Sequence, residues 1–122
     1  MIWEKRNYIV YKIKNLLTGM SYIGVTSCGL KKRIQTHRSQ AKLGSTLPLH
    51  IDIVKYGIEN FEVTELDYVK NASTPEASVM EFKYIQEYNT VIPNGYNKYG
   101  YKKIKLSEKY LSSINKVLGT NY

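Results

Sequence analysis

The chain has 122 residues, 43% hydrophobic and 23% charged, which makes one globular domain and leaves no room for a second core. Cys28 is its only cysteine, so a disulfide scaffold is excluded, and one cysteine with two histidines excludes a zinc finger. Eighteen basic side chains against ten acidic ones give a net charge of +8, a surplus that fits either a polyanionic partner or a surface solvated mainly by lysine.

Asn7 to Lys14 alternates as a strand, and Met20 to Val25 reads as a second. The turn between them ends in Thr18-Gly19, which predicts an antiparallel hairpin. Thr26-Ser27-Cys28-Gly29 offers side chains that can cap a helix over Leu30–Leu43, stopped by Gly44. Pro48 starts a second helix that Gly57 ends after Tyr56. Phe61 to Val69 alternates as a third strand. Ser73-Thr74-Pro75-Glu76 then begins a helix that runs to about Tyr88. Pro93-Asn94-Gly95 is a turn, and Leu106–Leu118 fits a short terminal helix. The predicted class is α+β, in the order β-β-α-α-β-α, with a basic C-terminal tail. The expected division is a domain over residues 1–97 and an extension over 98–122.

Charge is distributed unevenly. Residues 26–44 carry Lys31, Lys32, Arg33, Arg38 and Lys42 and no acid, whereas residues 59–87 carry seven acids against Lys70 and Lys83. Residues 98–122 carry six lysines against Glu108. A polarised surface follows more readily from this pattern than a uniformly solvated one. No apolar run spans a bilayer and Met1–Arg6 lacks a signal-like apolar stretch, so the expectation is a cytoplasmic protein with no membrane contact.

Some polar residues fall where the pattern calls for apolar ones. On a helical wheel of Pro75–Tyr88, Glu81 lies within the stripe formed by Ala77, Tyr84, Ile85 and Tyr88. A carboxylate there needs compensation. It is either paired with Arg or tyrosine hydroxyls, or it lies at the floor of a site and holds a metal ion. On the helix from Leu30, Arg33 and His37 are stacked one turn apart at the shoulder of the Leu30–Ile34–Ala41 stripe. For a single helix, a solvated basic helix with a core-edge histidine is the commoner explanation. In one hairpin register Tyr11 and Tyr22 lie opposite each other, with Cβ atoms roughly 5 Å apart. Gly24 permits a close approach beside them.

In order along the chain, Ile9-Val10-Tyr11, Tyr22-Ile23-Gly24, Lys32-Arg33 with His37, Glu81, and Gly95-Tyr96-Asn97 resemble the motifs of the GIY-YIG nucleases over about residues 7–97. The likeness is greatest to the catalytic modules of phage homing endonucleases. One departure is that Ile9 stands at the glycine of the first motif. The resemblance implies a three-stranded antiparallel sheet flanked by helices, and a metal-dependent endonuclease that hydrolyses DNA phosphodiesters. Its implied catalytic residues are Tyr11, Tyr22, Arg33, His37 and Glu81. Glu81 would hold one divalent ion, Mg²⁺ or Mn²⁺, Arg33 would grip the phosphate, and Tyr11 would position or deprotonate the attacking water. Lys32, Asn97, Lys102 and Lys103 would contact the nucleic acid, expected to be double-stranded DNA and bound by a monomer or transient dimer. A non-catalytic nucleic-acid-binding module on the same fold, or a ribonuclease or toxin, is the alternative.

Overall fold

The structure is a computed structural model and describes residues 4–98. Its elements are β1 (Arg6–Asn15), β2 (Ser21–Thr26), α1 (Leu30–Lys42), α2 (Pro48–Tyr56), a 3-10 turn (Ile58–Asn60), β3 (Phe61–Ala72) and α3 (Thr74–Tyr88). This is the predicted order. The expected helix at Leu106–Leu118 lies outside the described residues. Among the described residues, no helix is long and apolar enough to cross a membrane.

The sheet is antiparallel with strand order β2-β1-β3. A central strand covered on both faces needs apolar side chains on both, and β1 supplies them: Tyr8, Val10, Tyr11 and Ile13 are all buried. On one face Tyr11 and Ile13 pack with Ala41 of α1, Leu49 and Ile53 of α2, and Tyr96. On the other, Val10 and Ile23 pack with Ile85 of α3, and Tyr8 with Ala72 and Ala77. The sheet is therefore sandwiched between α1 with α2 and α3.

The hairpin turn is organised by Asn15. Its side-chain oxygen accepts from the backbone N–H groups of Leu17 (2.9 Å) and Thr18 (3.4 Å), and Gly19 takes the positive φ of 80° that closes the loop. The resulting register pairs Tyr11 with Gly24 and Ile13 with Tyr22. The two tyrosines are therefore diagonal neighbours and not directly opposite, with ring centres 6.3 Å apart.

Three further expectations are corrected. β3 continues past Val69 to Ala72, because Arg6 pairs with Ala72 across a bulge. In that bulge Asn71 takes a positive φ of 53°, and its N–H donates to Asn7 Oδ1 (2.9 Å). α1 has no side-chain cap. Gly29, at φ 91°, occupies the N-cap, and the Thr26 hydroxyl instead accepts from Cys28 N–H. The inward face of α3 is Ala77, Val79, Phe82 and Ile85. Tyr88 stays outside it, with the Lys12 ammonium 4.5 Å from its ring centre. The start of α3 is as expected: Ser73 and Glu76 form a reciprocal capping box.

The free edge of β2 is closed by the chain after α3. Tyr96 N–H donates to Ser21 O at 2.9 Å, and the Asn97 amide pairs with both backbone groups of Ile23 at 2.9 Å each. Gly95 makes this approach feasible, since a Cβ there would lie 2.5 Å from Thr90 O and 2.7 Å from Ser21 O.

Candidate active site

A cleft of about 270 Å³ opens beside β2. It is lined by Tyr22 of β2, Arg33 and His37 of α1, His50 of α2, Glu81 and Ile85 of α3, and Asn97 and Lys98. Because α1 and α3 pack on opposite faces of the sheet, the cleft lies where both layers meet at the edge strand. That placement explains why Glu81 looks misplaced in sequence. It lies on the core-facing side of α3 yet remains half-buried, because the core ends at the cleft.

Behind the cleft runs a chain of hydrogen bonds. Arg33 Nε–H donates to the Tyr11 hydroxyl oxygen at 3.3 Å. That hydroxyl and His37 Nε2 are 2.8 Å apart, His37 Nδ1 and His50 Nε2 are 2.8 Å apart, and His50 Nδ1 and Ser45 Oγ are 2.6 Å apart. Tyr11, His37 and His50 are almost completely shielded from solvent.

Burial sets the protonation of the set. It lowers His37 to a pKa of about 3, and the nearby Arg33 and His50 add to the effect. His50 is lowered by burial and then by Arg33. Both imidazoles are therefore neutral at pH 7. The Tyr11 phenol is pushed up by burial, against which its hydrogen bond from Arg33 and the charge of Arg33 act. Tyr22 is also raised, by burial first and then by Tyr11 and Glu81. Both tyrosines are thus hydroxyl donors and not phenolates. The Glu81 carboxylate is close enough to act on both phenols, which places acid, guanidinium and phenols around one space.

The chain matches the GIY-YIG catalytic domain family over residues 7–97. The chain belongs to the GIY-YIG family. It is also similar to "Uncharacterized protein 019R" of Invertebrate iridescent virus 6, 34% identical over 92 residues (73% of this chain, 32% of the relative). The "Putative MSV199 domain-containing protein 146R" of the same virus is 28% identical over 86 residues (70% and 35%). The chain spans about a third of the length of these curated relatives. Two solved structures of the catalytic domain of the homing endonuclease I-TevI share the fold. One, a glutamate-to-alanine mutant, has a TM-score of 0.66 at 27% identity, covering 76% of this chain and 94% of that one. The other has a TM-score of 0.61 at 27% identity, covering 77% and 97%.

The GIY-YIG motif residues now have physical positions. Ile9, at the departing glycine, sits in ordinary strand pairing with Thr26 and Tyr68, so Tyr11 keeps its place without a glycine there. Gly24 is needed because the Tyr11 ring fills the space its side chain would take. A Cβ would fall 2.4 Å from both Cζ and Oη. The close approach expected at Gly24 is thus made by Tyr11. Tyr96 anchors its segment to α2, donating to Asp52 Oδ2 at 2.7 Å and accepting from Asn15 Nδ2 at 3.0 Å.

Several expected site residues are placed differently. Tyr11 is fully buried, with its hydroxyl engaged by Arg33 and His37, so in this arrangement it does not meet a cleft water. Asn97 lines the cleft, but its oxygen accepts from Ile23 N–H and Thr90 Oγ1–H (2.7 Å) and its nitrogen donates to Ile23 O. In this arrangement it clamps the strand. Lys32 is exposed and does not line the cleft. Lys102 and Lys103 lie outside the described residues. Residues that the sequence reading missed are His50 and Ser45, whereas Lys98, expected in a phosphate-contacting basic tail, does line the cleft. His50 lies beside Leu49 and three residues before Ile53, on a helix whose apolar stripe would have placed it inside.

Proposed function

We propose that this protein is a divalent-metal-dependent endonuclease that hydrolyses phosphodiester bonds in double-stranded DNA. The observation that carries the reading is the meeting of Arg33 and Glu81, from helices on opposite faces of the sheet, in one cleft beside Tyr22. A binding module has no use for a carboxylate among phosphate-gripping cations, whereas a phosphodiesterase does.

The residues fit a Mg²⁺ or Mn²⁺ ion. A hard ion that keeps several waters needs only one or two carboxylates, and Glu81 offers one at a half-exposed position. When bound there, such an ion supplies Lewis acidity to the phosphate and the leaving oxygen. Arg33 offers its remaining guanidinium N–H groups to the phosphoryl oxygens, where charge grows in the transition state. The Tyr22 phenol donates a hydrogen bond to phosphate or to the attacking water. Tyr11 and His37 hold Arg33 from behind. Lys98 stands at the cleft as a first phosphate contact, and Lys102 and Lys103 in the basic extension continue it as a backbone-binding arm.

The test is plasmid nicking with Mg²⁺, Mn²⁺ or EDTA, on wild type and Glu81→Ala. Cleavage should need the metal and disappear in the variant while its circular dichroism is retained. Cleavage by Glu81→Ala at the wild-type rate rejects the metal role, and degradation of RNA in preference to duplex DNA rejects the substrate.

A further inference from the structure

The hydrogen-bond chain behind the cleft can run in two directions, set by the histidine tautomers, and one of them gives the buried Tyr11 hydroxyl proton an acceptor within the chain. An arginine can only donate. With Arg33 Nε–H donating to the Tyr11 oxygen, the Tyr11 O–H can point at His37 Nε2, which is then the acceptor. His37 therefore carries its proton on Nδ1 and donates it to His50 Nε2. His50 in turn carries its proton on Nδ1 and donates to Ser45 Oγ. Ser45 Oγ also accepts from Leu47 N–H at 3.3 Å, which fixes it at the start of α2. In the opposite direction the Tyr11 oxygen would accept from both Arg33 and His37, and its own proton would have no acceptor within the chain.

We infer that Ser45 and His50 are positioning residues, which fix the tautomer of His37 and, through the Tyr11 hydroxyl, the aim of the Arg33 guanidinium into the cleft. The inference rests on the nuclease reading only for its kinetic consequence. The tautomers themselves belong to the folded chain. The role is one of orientation. His37 and His50 are both buried and uncharged, so neither stores a proton, and the Arg33 Nε that the chain holds is turned to the buried Tyr11 hydroxyl. The remaining guanidinium nitrogens are then presented in one fixed plane, which is what recognition of a phosphate requires. The device also ties α2 to α1, since Ser45 lies in their connection and His50 in α2.

The decisive variants are His50→Gln and His50→Leu. Glutamine can accept from His37 Nδ1–H through its amide oxygen and donate to Ser45, but it cannot relay a proton. Leucine fills the space and does neither. Cleavage by His50→Leu should fall roughly tenfold to a hundredfold, the range seen when the outer partner of a site histidine is removed. His50→Gln should recover most of that loss. Ser45→Ala should act in the same direction as His50→Leu and more weakly. Imidazole ¹⁵N spectra of the full chain give a readout independent of cleavage. The chain has two histidines, and both should appear as neutral Nδ1–H tautomers, with His37 losing that preference in His50→Leu. Three results overturn the inference: a His37 Nε2–H tautomer in wild type, wild-type cleavage by His50→Leu, or a His50→Gln variant as inactive as His50→Leu. The last points to proton transfer and not to orientation. If wild type cleaves nothing with any metal, the nuclease reading fails, and the spectra still decide the positioning.

Discussion

An alanine at position 24 would put a methyl group into the Tyr11 ring. The added Cβ lies 2.4 Å from Tyr11 Cζ and Oη and 2.9 Å from Cε1, where no real contact is tolerated. Tyr11 has nowhere to go, because it is fully buried and its hydroxyl is held by Arg33 and His37. Overpacking of this kind costs about 1–3 kcal/mol. Displacing the hydroxyl adds the loss of one ordinary and one charge-assisted hydrogen bond, together about 2–3 kcal/mol. The expected cost of Gly24→Ala is therefore about 3–6 kcal/mol, a large fraction of the stability of a small domain. Gly44→Ala is the control. Gly44 has φ 89° with open space around its Cβ position, so only backbone strain of about 1–2 kcal/mol applies. Urea unfolding followed by circular dichroism measures both. If Gly24→Ala costs no more than Gly44→Ala, the account of Gly24 as the seat of the Tyr11 ring is wrong.

Three further outcomes follow from the same geometry. His37 titrates near 6.5 unfolded and near 3 folded, so between these values the unfolded chain binds a proton that the folded chain does not, and stability falls as pH falls through that window. At pH 5 the loss relative to neutral pH is about 2 kcal/mol, and urea unfolding of His37→Gln should show that much less acid sensitivity between pH 7 and 5; an identical slope would remove His37 as the cause. Asn97→Ala strips the N–H and C=O of Ile23 of their partners and should cost about 2–4 kcal/mol, with faster amide exchange at Ile23; unchanged protection there would contradict the clamp. Arg33→Ala should reduce cleavage on the order of 10²-fold, and Arg33→Lys should restore it only in part, because an ammonium lacks the planar fork and the Nε donor to Tyr11; full activity with lysine would refute the bidentate role.

The elements were legible where the local signal and the tertiary demand coincide. The α3 capping box, Pro48 and Gly57 around α2, and the alternation of β1 are all local. The register was not legible. It depends on the five residues after Asn15 and on how that side chain gathers Leu17 and Thr18, and alternation alone allows Tyr11 to face either Tyr22 or Gly24. Glu81 could be singled out because a carboxylate on a core stripe is anomalous in one helix considered alone. His50 could not be singled out in the same way, since its importance comes from a neighbour thirteen positions earlier that only the packing of α1 on α2 supplies. Asn97 shows a second limit: that its amide closes the edge of the sheet depends on the pairing with Ile23, which only the fold supplies.

The acidic middle of the chain now has an address. Glu62 and Glu65 are exposed on β3, the strand at the opposite border of the sheet from β2. On the proposed function, a polyanion that drifts toward that border would be repelled, and one that reaches the other side would meet Arg33 and Lys98. Under the nuclease reading this arrangement would act as a compass, in which repulsion at one rim adds to attraction at the other.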